Sequence, residues 1–140
     1  MSEIKVDTLT GKTTANDITV TVGATATQSL EQGLAKAWYN YEEYSITTVR
    51  DSFGISSIVN TTTADSTANF TNSFNNVGYS ASILATCHPA THYSSAGSYA
   101  NSNDTADGYF TSSHRYYIHN IGAGGIAATF VTGQFLGDLA

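Results

Sequence analysis

The chain has 140 residues and a formal net charge of −6, and only 11% of its residues are charged. Nine Tyr, six Phe and one Trp in so weakly charged a chain are typical of a folded domain and argue against a simple disordered tail. Five Lys and Arg residues are too few for the basic face that a nucleic-acid partner requires. No apolar run approaches the ~18 residues of a membrane span, and the first residues lack a secretion signal. Since one cysteine excludes an internal disulfide framework, we expect synthesis in a reducing cytoplasm.

Residues 1–27 contain no aromatic side chain and are predicted to form an extended arm. Its apolar residues fall in two short runs on either side of a polar turn: Ile4, Val6, Leu9, Ile18, Val20 and Val22. Alternation of apolar and polar residues indicates half-buried strands, although nothing nearby in the sequence would cover them. Because the composition shifts near residue 28, we expect a second domain over residues 28–140.

The segment after the arm combines a helix-start signal with a short apolar seam. Ser29 and Gln32 have the spacing of a capping box, in which the two side chains satisfy free backbone donors. The apolar side chains that follow are four, three and four residues apart: Leu30, Leu34, Ala37 and Tyr41. This spacing predicts a short helix, which either packs on its own domain or forms a neck where three copies of the chain meet.

Short strands separated by turn signals are predicted for the rest of the chain. They fall near residues 36–42, 45–50, 55–58, 66–71 and 79–87, with two more within residues 108–122 and 125–137. In the clearest strand one face is shared by Tyr79, Ala81, Ile83, Ala85 and Cys87. Six to eight such strands predict an all-β fold, an antiparallel β-sandwich of jelly-roll-like type with the arm and the helical neck at its start.

Residues 88–107 are predicted to form a long polar loop, and loops of this length are often functional. Tyr93, Tyr99 and Tyr109 lie among Ser, Asn and Gly, a composition typical of adaptable binding loops, and are the candidate receptor-binding residues. An equally good interpretation is that these rings anchor the loop to the sandwich. Five further tyrosines in strand-like runs are expected in the core or at a subunit interface: Tyr39, Tyr41, Tyr44, Tyr116 and Tyr117.

Metal binding and catalysis find no support in the sequence. His88 and His92 are interrupted by Pro89, while His114 and His119, five residues apart in a strand, would point to opposite faces. We expect Cys87 to be a small buried apolar residue. Because the chain has no nucleophile elbow and no credible pair of catalytic carboxylates, no enzyme activity, metal site within one chain or cofactor is expected. A His that faces a threefold axis, where three copies of the chain meet, is a separate possibility for metal binding.

Several runs resemble the β-rich structural proteins of tailed bacteriophages, especially marine ones, which include tail fibres. The runs that carry the resemblance are LEQGLAKAWYNYEE, RDSFGISSI, ANFTNSF and GYSASI, and the opening IKVDTLTGKTTANDITV is similar to the N-terminal arms of the same group. The resemblance implies a homotrimeric virion protein on the tail or capsid surface, made in the host cytoplasm. Its arm would bind sister chains or other virion proteins, and its β-domain would point outward. The resemblance therefore implies a role in particle attachment for the six apolar residues of the arm: Ile4, Val6, Leu9, Ile18, Val20 and Val22.

Two functions are compatible with this resemblance. In the first, the protein is a short tail fibre or fibre tip, and its non-catalytic β-domain binds a glycan or protein on the host surface. In the second, it is a capsid decoration, cement or head-fibre protein. A soluble carbohydrate-binding module is a weaker third possibility, because it would leave the arm unexplained.

Overall fold

The structure is a computed structural model, and it describes the following residues: 5–10, 18–22, 26–30, 33–44, 48–62, 64–87, 94–98, 108–120, 124–125 and 128–140. The chain divides into two compact units, Met1–Leu34 and Ala35–Ala140. All the regular secondary structure in these residues is β-strand, and every strand pairing is antiparallel. The predicted all-β class is therefore confirmed. No helix long and apolar enough to cross a bilayer occurs in the described ranges.

The first unit contains a hairpin of two short strands, β1 (Thr19–Val22) and β2 (Ala26–Ser29). Thr19 lies opposite Ser29, and Val22 lies opposite Ala26. The second apolar run of the arm thus forms a strand, as its alternation predicts. Residues 5–10, which include Val6 and Leu9 of the first run, form no strand.

The larger unit contains ten strands among its described residues. In chain order they are β3 (Ala37–Glu42), β4 (Thr48–Phe53), β5 (Ile55–Thr62), β6 (Asp65–Phe70), β7 (Ser80–Cys87), β8 (Ser94–Ser98), β9 (Tyr109–Phe110), β10 (Ser113–Asn120), β11 (Gly124–Gly125) and β12 (Ala128–Leu136). One sheet has four strands in the order β4-β3-β12-β7. The other has six, in the order β11-β10-β6-β5 with β8 and β9 also paired to β10.

The two sheets enclose one core, so the arrangement is sandwich-like. Buried side chains from both sheets form a single cluster, which contains Ala37, Tyr39, Tyr41, Ala68, Phe70, Phe74, Tyr79, Tyr116, Ile118, Ala128, Val131 and Phe135. Aromatic rings dominate it and meet edge to face, as between Phe70 and Phe135, whose ring centroids are 4.9 Å apart. The expectation that Tyr39, Tyr41 and Tyr116 are core residues is confirmed, whereas Tyr44 is exposed.

Glycine is required at two positions of this architecture. Gly54 has a φ of +67°, a conformation that lets the chain leave β4 in one sheet and enter β5 in the other. Gly133 lies on β12 beside the buried ring of Tyr39, and a Cβ atom there would come within 2.4 Å of the Tyr39 ring. The absence of a side chain at residue 133 therefore makes room for the tyrosine.

The predicted helical neck is wrong. Leu30 lies in a turn directly after β2, and Ala37 and Tyr41 lie on β3, where buried and half-buried residues alternate. The apolar spacing from Leu30 to Tyr41 suggests a helix. As a strand, however, Ala37–Glu42 places buried and half-buried side chains alternately, and this form buries Tyr39 and Tyr41 between the sheets. Because a short helix is marginal in water, the burial available to the strand decides the structure.

Most of the other predicted strands are present. The alternation of β7 is confirmed, with Tyr79 buried, Ala81, Ile83 and Ala85 half-buried, and Ser80, Ser82, Leu84 and Thr86 exposed. The strand expected near residues 45–50 is found at Thr48–Phe53. The loop prediction for residues 88–107 is wrong over Ser94–Ser98, which pairs with β10 through its backbone and needs no large apolar side chains to do so.

Candidate functional site

The hairpin unit carries a shallow groove that brings together residues from two separate sequence predictions. This hairpin groove has a volume of about 210 Å³ and is lined by Val20, Ser29, Leu30, Gly33 and Leu34. Val20 is one of the predicted attachment residues, whereas Leu30 and Leu34 belong to the predicted oligomerisation seam. The backbone N–H of Leu30 donates to the carbonyl of Ile18 at 2.7 Å, which holds Leu30 beside β1. Val20 and Leu34 are exposed, so the groove offers apolar surface to a partner.

The other predicted attachment residues are spread along the same unit. Val6 and Leu9 are 56% and 60% exposed, and Ile18 is half-buried. Ile4 and the side chain of Val22 lie outside the described residues. Of the described side chains in this set, Val20 lines the hairpin groove and Val6, Leu9 and Ile18 do not. The attachment role of the whole set stays a prediction.

Ala37 and Tyr41, the remaining residues of the predicted seam, are buried in the core of the larger unit. Their exposed fractions are 2% and 0%, and both side chains point between the two sheets. Within the seam, Leu30 and Leu34 are thus the residues with surface left for another copy of the chain.

The predicted receptor-binding tyrosines can be followed only in part. Tyr93 and Tyr99 lie outside the described residues. Tyr109 is on β9 and half-buried, with its ring 5.1 Å from that of Tyr79 and 4.5 Å from that of His114. Since its ring packs against the core, Tyr109 anchors the segment that carries it.

The histidines are placed as their spacing indicates. His114 is fully buried and His119 is exposed, on opposite faces of β10. Burial lowers the pKa of His114 to about 4. Across the described ranges, no three His, Cys, Asp or Glu residues lie close enough together to hold a metal ion. His88, His92 and the side chain of Cys87 are not among the described groups.

A chain of buried hydrogen bonds crosses the core from one sheet to the other. The hydroxyl of Tyr116 on β10 donates to that of Tyr41 on β3 at 2.6 Å, and the Tyr41 hydroxyl donates to Ser66 Oγ on β6 at 3.2 Å. Ser66 Oγ lies 3.1 Å from Glu43 Oε1 and 2.8 Å from Asn60 Oδ1. Desolvation raises the pKa of Tyr41 to about 12, and that of Tyr116 rises for the same reason. These hydroxyls therefore act as neutral hydrogen-bonding groups that tie the sheets together.

Glu43 is the buried carboxyl at the end of this chain. Its Oε2 atom accepts a hydrogen bond of 2.9 Å from the backbone N–H of Ala128. Ser66 has one proton but two acceptors, Glu43 and Asn60, so it cannot donate to both at once. A proton on Glu43 Oε1 resolves this conflict, because Glu43 then donates to Ser66 and Ser66 donates to Asn60. Burial raises the pKa of Glu43 and favours this protonated form.

Replacement of Glu43 by Gln should stabilise the larger unit at neutral pH, because the Gln amide can donate to Ser66 while its oxygen accepts from Ala128. The pKa of Glu43 is higher in the folded chain than its ordinary value of 4.5. The contribution of Glu43 to folding stability is therefore complete below pH 4.5 and is lost as the pH rises through the folded-state pKa. At pH 8 we expect Glu43→Gln to increase the free energy of unfolding by about 1 kcal/mol, measured by urea denaturation. At pH 4 the gain should vanish.

The matched control is Glu42→Gln, one residue earlier on the opposite face of β3. Glu42 forms a surface ion pair with Arg50, at 3.6 Å, and its loss should change stability by less than about 1 kcal/mol at either pH. An equal response of the two variants would show that Glu43 has no special role in the core.

The outward face of the four-stranded sheet carries a second surface, centred on the only tryptophan of the chain. Strand register places its side chains in two rows. The first row is Phe53, Trp38, Gln134 and Ser82, and the second is Asp51, Asn40, Thr132 and Leu84. We call these eight residues the Trp38 face. A groove of about 420 Å³ runs over it, lined by Trp38, Asn40, Ser82, Leu84, Thr132 and Gln134.

Exposed apolar surface and neutral polar groups are mixed on the Trp38 face. Phe53 and Leu84 at its two edges are 58% and 73% exposed. Asn40 Oδ1 is buried and has no hydrogen-bond partner among the described residues. Beside the face, Arg50 lies 3.9 Å above the Phe130 ring and pairs with Glu42, so its charge is engaged outside the two rows.

Glu43 and the Trp38 face were not predicted from the sequence, although the strand alternation of residues 37–43 indicates which face of β3 each side chain occupies. Once Tyr39 and Tyr41 are assigned to the core, Glu43 falls on the same inward face, while Trp38 and Asn40 fall on the outward one. The neighbours of Trp38 could not be found in this way. Phe53 and Gln134 come from other strands, and only the register brings them together.

Comparison of the chain with protein-family models, with curated proteins and with solved structures found no match.

Proposed function

We propose that the chain is a structural virion protein of a tailed bacteriophage: a short tail fibre or fibre tip that binds the host surface through a non-catalytic β-domain. The sequence resemblance suggests this role. The observation that supports it best is the hairpin groove, because a small unit with exposed Val20 and Leu34 gives a separate β-domain a means of attachment. Under this proposal the protein is a homotrimer, and the first unit also contacts other virion proteins.

The finer features of the fold belong to the same proposal. Along the described strands of the larger unit the chain changes sheet four times, at the steps β4 to β5, β6 to β7, β7 to β8 and β11 to β12, which favours the jelly-roll-like connection expected from the sequence. In a trimer, the apolar residues of each hairpin groove would be covered by sister chains. A lone two-stranded hairpin is marginal in water, so such cover would stabilise the first unit.

A double substitution in the hairpin groove tests the proposal. Each buried Leu contributes about 1.5–3 kcal/mol, so Leu30→Asp together with Leu34→Asp should remove enough association energy to leave monomers, as measured by light scattering. The same variant should fail to load onto phage particles. Leu84→Asp, which changes an exposed leucine of the β-domain, should remain trimeric.

Trimers that survive the double substitution would exclude the hairpin groove as the interface. If Leu84→Asp gave monomers instead, the interface would lie on the β-domain.

The alternative function, capsid decoration or cement, is favoured by the same groove, since decoration requires only attachment. Phage particles that lack the protein distinguish the two functions. If the protein is a fibre, these particles should adsorb poorly to host cells; if it is a decoration protein, they should adsorb normally but have fragile capsids.

A further inference from the structure

We infer that the Trp38 face binds a neutral oligosaccharide: the Trp38 ring stacks on one sugar, and Asn40, Thr132 and Gln134 hydrogen-bond to its hydroxyl groups. This inference rests on the proposed function, because it names the class of host molecule that the β-domain recognises. It differs from the sequence prediction, which assigned receptor binding to Tyr93, Tyr99 and Tyr109.

The spacing of the side chains fits a sugar ring. Neighbouring strands lie ~4.8 Å apart, and residues on one face of a strand repeat every ~6.7 Å. Gln134 is the cross-strand neighbour of Trp38, Asn40 follows Trp38 on the same face of β3, and Thr132 is paired with Asn40. A sugar ring stacked on Trp38 would therefore have polar side chains along two of its edges. The groove volume of about 420 Å³ lies within the range of small-molecule sites.

The polar groups match the hydrogen-bonding pattern of hydroxyls. An amide side chain donates and accepts at once, as a sugar hydroxyl also does, and Thr132 adds a third group of the same kind. Asn40 Oδ1 lacks a donor among the described residues. By turning toward the groove that it lines, the Asn40 amide would gain a hydroxyl donor from a bound sugar.

The charges favour a neutral ligand. Asp51 is the only charged residue in the two rows, and Arg50 beside them is already paired with Glu42 and stacked on Phe130. The two rows contain no cation, and an anionic sugar or a phosphate bound there would be repelled by Asp51.

The composition of the face argues against a second copy of the chain as its occupant. Stable interfaces between identical chains have an apolar centre surrounded by polar groups. Here three of the four residues on the middle strands, Gln134, Thr132 and Asn40, are polar and only Trp38 is apolar, while the exposed Phe53 and Leu84 lie on the edge strands. Polar groups at the centre and a flat ring among them suit a hydroxyl-rich ligand better.

The single tryptophan makes the test direct. The full chain is titrated with maltotriose, cellotriose, chitotriose, mannotriose and galactotriose, and its fluorescence is followed. We expect a saturable change with at least one of these sugars, in the millimolar range typical of one stacked ring and a few hydrogen bonds. Gln134→Ala should weaken binding by about tenfold. In calorimetry Trp38→Ala should abolish binding, whereas Tyr117→Ala on the outward face of the other sheet should leave it unchanged.

The inference is overturned if none of the five sugars changes the fluorescence, or if Trp38→Ala binds as well as the unmodified chain. Failure of the proposed function would look different. Competition by the purified protein against phage adsorption tests that function independently of the sugars. If Trp38→Ala still competed with phage adsorption, the fibre role would stand and the Trp38 face would not be the receptor site. If the protein bound a sugar but did not compete with adsorption, the sugar site would stand and the fibre role would be excluded.

Discussion

Replacement of Phe135 by Ala should lower the free energy of unfolding of the larger unit by about 3–5 kcal/mol, the range for loss of a buried aromatic side chain. Phe135 is fully buried on β12, an inner strand of the four-stranded sheet. Its ring centroid lies 4.9 Å from that of Phe70 and 5.4 Å from that of His114, both on the opposite sheet. The substitution would leave a cavity between the sheets that these rings cannot fill without moving. Since domains are stable by only about 5–15 kcal/mol, this is a large fraction of the total.

Urea denaturation followed by the fluorescence of Trp38 measures this change. Phe53→Ala is the matched control, because it removes the same side chain from the edge strand β4, where Phe53 is 58% exposed. Its effect on unfolding should stay within about 0.5 kcal/mol. If both variants lost equal stability, the two sheets would not share the core described above.

Acid should destabilise the larger unit through His114, and His114→Phe should remove this sensitivity. Burial lowers the pKa of His114 from 6.5 to about 4, so between these values the unfolded chain takes up a proton that the folded chain excludes. The contribution of His114 to stability is therefore complete above pH 6.5 and is lost as the pH falls through 4. A shift of this size corresponds to about 3 kcal/mol across the window. Phe is a suitable replacement because aromatic rings surround the site, including those of Tyr109 and Phe135. The Tyr79 hydroxyl, 3.3 Å from His114 Nδ1, would keep the carbonyls of Phe110 and Ser113 as acceptors.

The measurement is the free energy of unfolding of both proteins between pH 7 and pH 4. The unmodified chain should lose more stability than His114→Phe over this interval. His119→Asn is the control, because His119 lies exposed on the same strand, and this variant should follow the unmodified chain. Parallel curves for His114→Phe and the unmodified chain would show that another group carries the acid sensitivity.

Local pattern predicted most of the strands, but it missed Ser94–Ser98, which has no large apolar side chains, and it failed where two patterns competed. In β7, apolar residues at every second position from Tyr79 to Ala85 allow one interpretation only, and the structure confirms it. In the segment from Leu30 to Tyr41, helical spacing and strand alternation overlap. The choice between them depends on the burial of Tyr39 and Tyr41 against β6, β10 and β12, which come much later in the chain. No window around residue 37 contains that information.

The candidate sites were harder to predict than the fold, because two of the three are built from residues that are distant in the sequence. The Trp38 face requires the register of three strand pairings, and the buried hydrogen-bond chain requires β3, β6 and β10 to meet across the core. Only the hairpin groove is local: Val20 and Leu30 are close in sequence, and both were predicted as interaction residues. Their grouping in one groove still depended on the pairing of β1 with β2.

The pairing of β3 with β12 has a mechanical consequence. Ala37 lies opposite Phe135, and the N–H of Lys36 donates to the Phe135 carbonyl at 2.9 Å. The start of β3 and the end of β12 are therefore next to each other. In an antiparallel pair the hydrogen bonds run perpendicular to the strands. Tension applied between residues 36 and 136 would therefore load these bonds one pair at a time and peel the two strands apart. Tension applied at these two points should therefore separate β3 from β12 at a lower force than tension applied along the strands, which would load all the hydrogen bonds of the pair at once.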